Sequence, residues 1–437
     1  MQLNSEERRG RFAAIYQSTF LRHNAIFFVG ALVIGALNYA FYPAMARLLH
    51  PDSFGEVQVL FSLFAQITVF FNVLSLLVVN IVANYTDVAK RNRMIVELEK
   101  LAVIAGVVIV LTTALAGTML EHFFHFDSSI PFMLLAVTVL VTTPLTFRSG
   151  FLRGRKRFGL VALAGIAASA CDLVFSIILV LAGHGTIGAM LGLAVAQCVA
   201  VAVAVRLARR EGFAVSLGRG FGNMPDLRLI LPELRYAGLV LVGSLTITGL
   251  YSIDTIAVKH YFDARTAGLY AGVSTVARII FFLTASIVQV LLPSVRLRNS
   301  TQQNSQVLLK SFVLLAGIGG AVLAVFVVAP RFVMSSLLGN LYVPYAELLP
   351  RLSVVVYLVS ILNLFIMYHM ALRRYTIVAV AAGGAIATVG LLAAHHQSLQ
   401  AVVSSLLYGS LVFAALLAGW SAFYQRRSVV VLKEEMG

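Results

Sequence analysis

Residues 267–293 read AGLYAGVSTVARIIFFLTASIVQVLLP, and Arg278 is the single charge in the run. A helix rises ~1.5 Å per residue, and about 20 apolar residues cross a hydrocarbon core of ~30 Å. This run is therefore long enough to span a bilayer. Outward from it, eleven further runs of the same kind appear: 24–46, 57–84, 101–120, 131–150, 159–182, 186–208, 236–258, 311–330, 346–370, 376–394 and 400–423. The whole chain of 437 residues is 60% apolar and 12% charged, with a mean hydropathy of +0.92. So little polar material cannot cover a water-soluble particle, which excludes soluble enzymes, disordered chains and collagen-like chains. Cys171 and Cys198 lie inside apolar runs without metal-ligand spacing and read as buried small hydrophobes.

Only helices satisfy every backbone group in lipid over runs this long, and the ~10-residue alternating segments of a barrel are missing. The expected fold is an all-α polytopic membrane protein with twelve spans in two six-helix lobes. The net charge of +15 resolves by position. Twenty-seven of the 33 Lys and Arg fall at the two termini and on alternate loops, five on the opposite loops, and Arg278 within a span. Basic residues favour the cytoplasmic side, so both termini are expected there. The same distribution leaves no basic patch for nucleic acid. The organisation that follows is a cytoplasmic amphipathic segment (1–23), a first lobe (24–208), a cytoplasmic linker (209–235), a second lobe (236–423) and a cytoplasmic tail (424–437).

Six spans per half suggest a parallel repeat, whose axis would run along the membrane normal. Gly55, in Pro51-Asp52-Ser53-Phe54-Gly55-Glu56-Val57, aligns with Gly268, in Ala264-Arg265-Thr266-Ala267-Gly268-Leu269-Tyr270. Arg47 and Lys259 occupy the outer ends of the helices that precede each motif.

Two stretches carry a family resemblance. Asp254-Thr255-Ile256-Ala257, Ala267-Gly268-Leu269-Tyr270-Ala271-Gly272 and Val290-Leu291-Leu292-Pro293 resemble the seventh and eighth helices of polysaccharide flippases. Ala46-Arg47-Leu48-Leu49-His50-Pro51 with Phe54-Gly55-Glu56-Val57 resembles their opening. These flippases form the O-antigen and exopolysaccharide branch of the multidrug/oligosaccharidyl-lipid/polysaccharide (MOP) superfamily. The resemblance implies two lobes around a cavity that opens alternately to either side. It also implies transfer of a polyprenyl-diphosphate-linked oligosaccharide from the cytoplasmic to the outer leaflet.

Ionisable groups inside a membrane are costly and so mark candidate sites. Three qualify: Asp172, Asp254 and Arg278. Arg278 sits near the expected midplane, on a small and polar stripe with Ala267, Ala271, Ser274, Ala285 and Gln289. The repeat-related second span carries Gln58, Ser62, Gln66, Asn72 and Asn80. Two such faces would line a water-filled central cavity. A guanidinium matches phosphate bidentately, so Arg278 would hold a diphosphate or an acidic sugar, and Arg47 and Lys259 would receive it at the outer end. Asn38, Tyr42 and Ser252 would meet sugar hydroxyls. Asp254 matches an acidic position of the family's seventh helix and lies close enough to the outer surface to snorkel. Asp172 is read either as the partner of Arg278 or as a proton-coupling carboxylate. No resident cofactor or metal is expected; a proton or sodium gradient or the membrane potential would drive transport. Expected partners are the bilayer, the lipid-linked glycan, and glycosyltransferases and a polymerase of the same pathway. A multidrug exporter of the same superfamily is the competing reading. A polysaccharide polymerase or ligase fits less well, because the outer loops are short and bring together no carboxylate pair for acid–base work.

Overall fold

A computed structural model describes residues 29–213, 225–295 and 300–435. The expected 1–23 segment lies outside the described residues, as does 214–224 of the expected linker. Every regular element among the described residues is helical. The helices are α1 (Val29–Leu48), α2 (Pro51–Asn84), α3 (Val88–Phe124), α4 (Ile130–Gly154), α5 (Phe158–Leu179), α6 (Gly185–Arg210), α7 (Leu227–Tyr261), α8 (Ala264–Ala277), α9 (Ile279–Ser294), α10 (Thr301–Val328), α11 (Pro330–Leu337), α12 (Leu349–Ala371), α13 (Thr376–Ala394) and α14 (Leu399–Glu435).

Eleven helical stretches among the described residues are long and apolar enough to cross a membrane. The longest, Phe158–Arg210, has 53 residues and holds two crossings. It reverses where Gly183 and Gly185 take φ of 89° and 49°, backbone that glycine alone adopts cheaply. The two arms then pack backbone to backbone: a Cβ added at Gly192 would lie 2.6 Å from the Ser176 nitrogen. Twelve crossings result, as the apolar runs require.

Several spans differ from their apolar runs. α3 begins at Val88, thirteen residues before its expected start, because its charged first turns find partners: Glu97 with Lys100 (3.1 Å) and Glu99 with Arg148 of α4. The expected eighth span divides into α8 and α9 at Arg278 itself, whose ψ of −10° opens the helical turn. Ahead of α12 the chain adds the short helix α11 and a 3-10 turn, Asn340–Leu348. Cys198, expected to be buried, is exposed on α6; a lipid-facing helix surface does not penalise an apolar thiol.

The chain forms two compact units. One comprises Met1–Tyr42, Phe71–Ala116 and Ile130–Glu233; the other comprises Pro43–Phe70, Gly117–Ser129 and Leu234–Gly437. The first half of α2 thus belongs with α7 to α14. Inside this second unit the two aligned glycines meet. A Cβ added at Gly55 would lie 2.9 Å from the Cα of Gly268, and one added at Gly268 would lie 1.8 Å from the Pro51 carbonyl oxygen. Glycine at both positions is what lets α2 and α8 approach this closely.

Candidate functional site

The second unit buries a polar cluster built on α7, α8 and α2. Tyr251, Asp254 and Thr255 follow one another at three- and one-residue steps along α7, while Tyr270, Ser274 and Arg278 recur every fourth residue and so share a face of α8. The two faces meet. Nη2 of Arg278 donates to Oδ1 of Asp254 (2.7 Å) and to Oγ1 of Thr255 (3.1 Å). Oδ2 of Asp254 accepts from the hydroxyls of Tyr270 (3.3 Å) and Ser274. The Arg278 guanidinium also lies 4.7 Å from the Tyr251 ring centroid, within cation–π range. Arg278 and Asp254 are only 5% and 6% exposed, so neither charge is stabilised by water and each depends on the other.

A row of hydrogen bonds continues from this cluster onto α2. Gln58, Ser62 and Gln66 are spaced four apart on one face. Gln58 donates to Thr275, Ser62 pairs with Thr255 (3.2 Å), and Gln66 donates to Ser252 (2.8 Å). The polar row of α2 therefore pairs with α7 at two points and with α8 at one, where a water-filled lining was expected. These side chains are complementary donors and acceptors and satisfy one another. The void beside Asp254, lined mainly by apolar side chains of α7, α12 and α14, measures about 10 Å³, room for about one water.

The expected snorkelling of Asp254 is corrected by this burial, and the expected Asp172–Arg278 pair is replaced by Asp254–Arg278. Asp172, on α5 in the first unit, accepts from the hydroxyl of Ser176 (3.2 Å). Arg47 is exposed and donates to the carbonyl oxygens of Ser336 and of Leu337 (3.2 Å), the last residues of α11. Lys259 is 1% exposed, with its ammonium 5.1 Å above the Phe126 ring. Asn38 is exposed on α1, in the first unit. Asn72 and Asn80 are exposed and belong to the first unit, apart from the Gln58–Gln66 row. Gln289 is on α9, and its side chain lies outside the described residues. Thr255, Tyr270 and Tyr251 were not singled out from sequence. Their spacing relative to Asp254 and Arg278 held the signal.

The family model for polysaccharide biosynthesis proteins matches residues 21–297, which include α2, α7 and α8 and hence the whole cluster. The chain belongs to this polysaccharide biosynthesis protein family. Among curated proteins none matches the sequence. Among solved structures, the chain is similar to an inward-facing MATE-family multidrug resistance transporter of the MOP superfamily (TM-score 0.72, 16% identity, 93% of this chain and 99% of that one). It is similar also to the lipid II flippase MurJ in an inward closed conformation (TM-score 0.70, 10% identity, 92% and 87%). A third is a MOP superfamily transporter from Pyrococcus furiosus, described by the reverse polarity of its binding pocket (TM-score 0.60, 15% identity, 92% and 94%). The polysaccharide biosynthesis family member described here thus has the twelve-helix, two-lobe MOP fold and is a multi-pass membrane protein.

Proposed function

We propose that the protein is a flippase. It moves a polyprenyl-diphosphate-linked oligosaccharide from the cytoplasmic to the outer leaflet by alternating access, for surface polysaccharide synthesis. Family and fold favour transport over catalysis. The observation that carries the substrate class is the buried Arg278–Asp254 pair. Its guanidinium can exchange a carboxylate for a phosphate, because both oxyanions accept the same planar fork. Serine, threonine and glutamine hydroxyls and amides around it are groups that also bind sugars, and they become available when the α2 row opens. In this reading Arg278 holds the diphosphate midway, with Ser274, Gln66 and Gln289 beside it, and Asp254 is its resident counter-ion between cycles. Arg47 and Lys259 receive the diphosphate at the outer end, and Asn38 is a candidate for meeting sugar hydroxyls; Asp172 is a candidate for coupling to a proton or sodium gradient. Both termini are cytoplasmic, in the inner membrane, and glycosyltransferases and a polymerase act on the same intermediate.

Deleting the gene should cause lipid-linked oligosaccharide to accumulate on the cytoplasmic side, and the Arg278→Met/Asp254→Leu protein, present at normal abundance, should fail to restore export. Raised sensitivity to cationic drugs without such accumulation would instead identify an exporter. Normal export by the Arg278→Ala variant would remove Arg278 from the mechanism.

A further inference from the structure

The first unit holds a second feature that the cluster does not use. α1 and α5 enclose an apolar groove of about 450 Å³, lined by Val29, Gly30 and Val33 on one side and Gly159, Ala162 and Leu163 on the other. Its floor is tight: a Cβ added at Gly30 would lie 2.5 Å from the Cβ of Ala162. Its walls are open, with Val29, Val33 and Leu163 at 58%, 39% and 53% exposure. Gly30 lets α1 approach Ala162 of α5 at the floor.

Basic residues sit at one end of this groove. The turn from α4 to α5 is Arg155-Lys156-Arg157, all exposed, and Gly159 follows two residues later. Backbone bonds from Arg155, Lys156 and Arg157 to Phe151, Arg153 and Leu152 (3.0, 2.8 and 2.8 Å) fix the turn. Arg157 pairs with Glu211 (2.9 Å) and Arg155 lies over the Phe151 ring, which leaves Lys156 the most accessible cation. No side chain caps the start of α5, so its first N–H groups face the same end.

We propose that this groove is the loading site for the lipid part of the substrate: the prenyl chain lies between α1 and α5, and the diphosphate rests at the 155–157 turn. The inference rests on the flippase reading and on the orientation given by the basic residues, which places this end at the cytoplasmic leaflet. Charge complementarity selects the occupant. An ordinary anionic phospholipid carries less charge than a diphosphate, and its chains lack the methyl branches that need a wide slot.

The full-length protein in phosphatidylcholine nanodiscs, carrying a photoreactive benzophenone side chain at Leu163 or, as control, at the exposed Val108 of α3, tests this with labelled polyprenyl diphosphate. Total binding is measured in parallel by filtration. Labelling at position 163 should exceed that at 108 at least tenfold, resist phosphatidylglycerol, and fall about tenfold in the folded Lys156→Gln variant. Binding to the protein with equal labelling at both positions, or displacement by phosphatidylglycerol, overturns the loading site and leaves the flippase reading standing. Increased labelling at 163 after removal of residues 1–22 also overturns it, because that segment is then the resident occupant. Absence of any polyprenyl diphosphate binding overturns both.

Discussion

Two buried arginine–carboxylate pairs, one in each compact unit, differ in what surrounds them. Arg278–Asp254 joins α8 to α7 among hydroxyls of Tyr270, Ser274 and Thr255, each capable of rearranging toward a polar ligand. Arg148–Glu99 joins α4 to α3, and its guanidinium is covered by the Phe213 ring at 5.3 Å. Beside it Glu97 pairs with Lys100 and accepts from the Asp226 backbone N–H (2.9 Å), which ties the residues just before α7 to α3. Nearly identical chemistry thus sits in two different surroundings. In the flippase reading we propose, a pair bordered by hydroxyls trades partners with a substrate. A pair enclosed by a ring, a second ion pair and a connecting segment holds helices in place.

The largest expected effects come from breaking either pair. Arg148→Ala and Arg278→Ala each leave an uncompensated buried carboxylate and should cost about 3–5 kcal/mol, read as a lower melting temperature of the purified protein. Replacing both partners by apolar residues separates the two. The Arg148→Met/Glu99→Leu protein should regain stability and transport, since a buried pair is often replaceable by packing. The Arg278→Met/Asp254→Leu protein should regain stability and remain inactive. Recovery of transport in the second variant would make both pairs structural.

Next in size is the α2–α8 crossing beside the first pair. Gly268→Ala forces a methyl against the Pro51 carbonyl and should destabilise by ~1–3 kcal/mol, measured by thermal unfolding; no comparable loss is expected for Gly317→Ala, where the space is open. Asp263→Ala removes the N-cap of α8, whose carboxylate accepts from the Thr266 N–H (2.9 Å), at a cost of ~1 kcal/mol. That hydrogen bond holds the Asp263 carboxyl below its ordinary value. Its contribution is therefore complete above about pH 4 and is lost as pH falls through the lowered value. Unfolding across that range should show the loss in the natural protein and not in the Asp263→Ala variant. The smallest effect belongs to the α2 row. Gln66→Ala removes one interhelical bond worth ~0.6 kcal/mol, and if the row opens during transport, accessibility of a cysteine placed at Ser252 should increase.

Arg278 and Asp254 were legible in the sequence because charge inside a long apolar run stands out against everything around it. Arg148, Glu99 and Glu97 were not, because they fall where a run gives way to basic loop residues, and a loop charge and a buried pair have the same local composition. Arg278 itself shows the same limit. Its stripe was readable, yet the partner read for it was Asp172 and not Asp254, since depth in a membrane does not say which helices are neighbours. The Gln58–Gln66 row was visible as a polar face, but a polar face that meets water and one that meets another polar face look alike in one dimension.

The sequence alone determined the number of membrane crossings and the helical class. Both follow from a local quantity, run length against bilayer thickness. Tertiary structure alone decided which charges are paired, that Gly55 and Gly268 touch, that Lys259 is buried while Arg47 caps α11, and that the polar row of α2 bonds to α7 and α8. Those outcomes depend on which helices pack together, and in lipid that choice rests on close packing and polar pairing between distant residues rather than on burial of apolar surface, which every span offers equally.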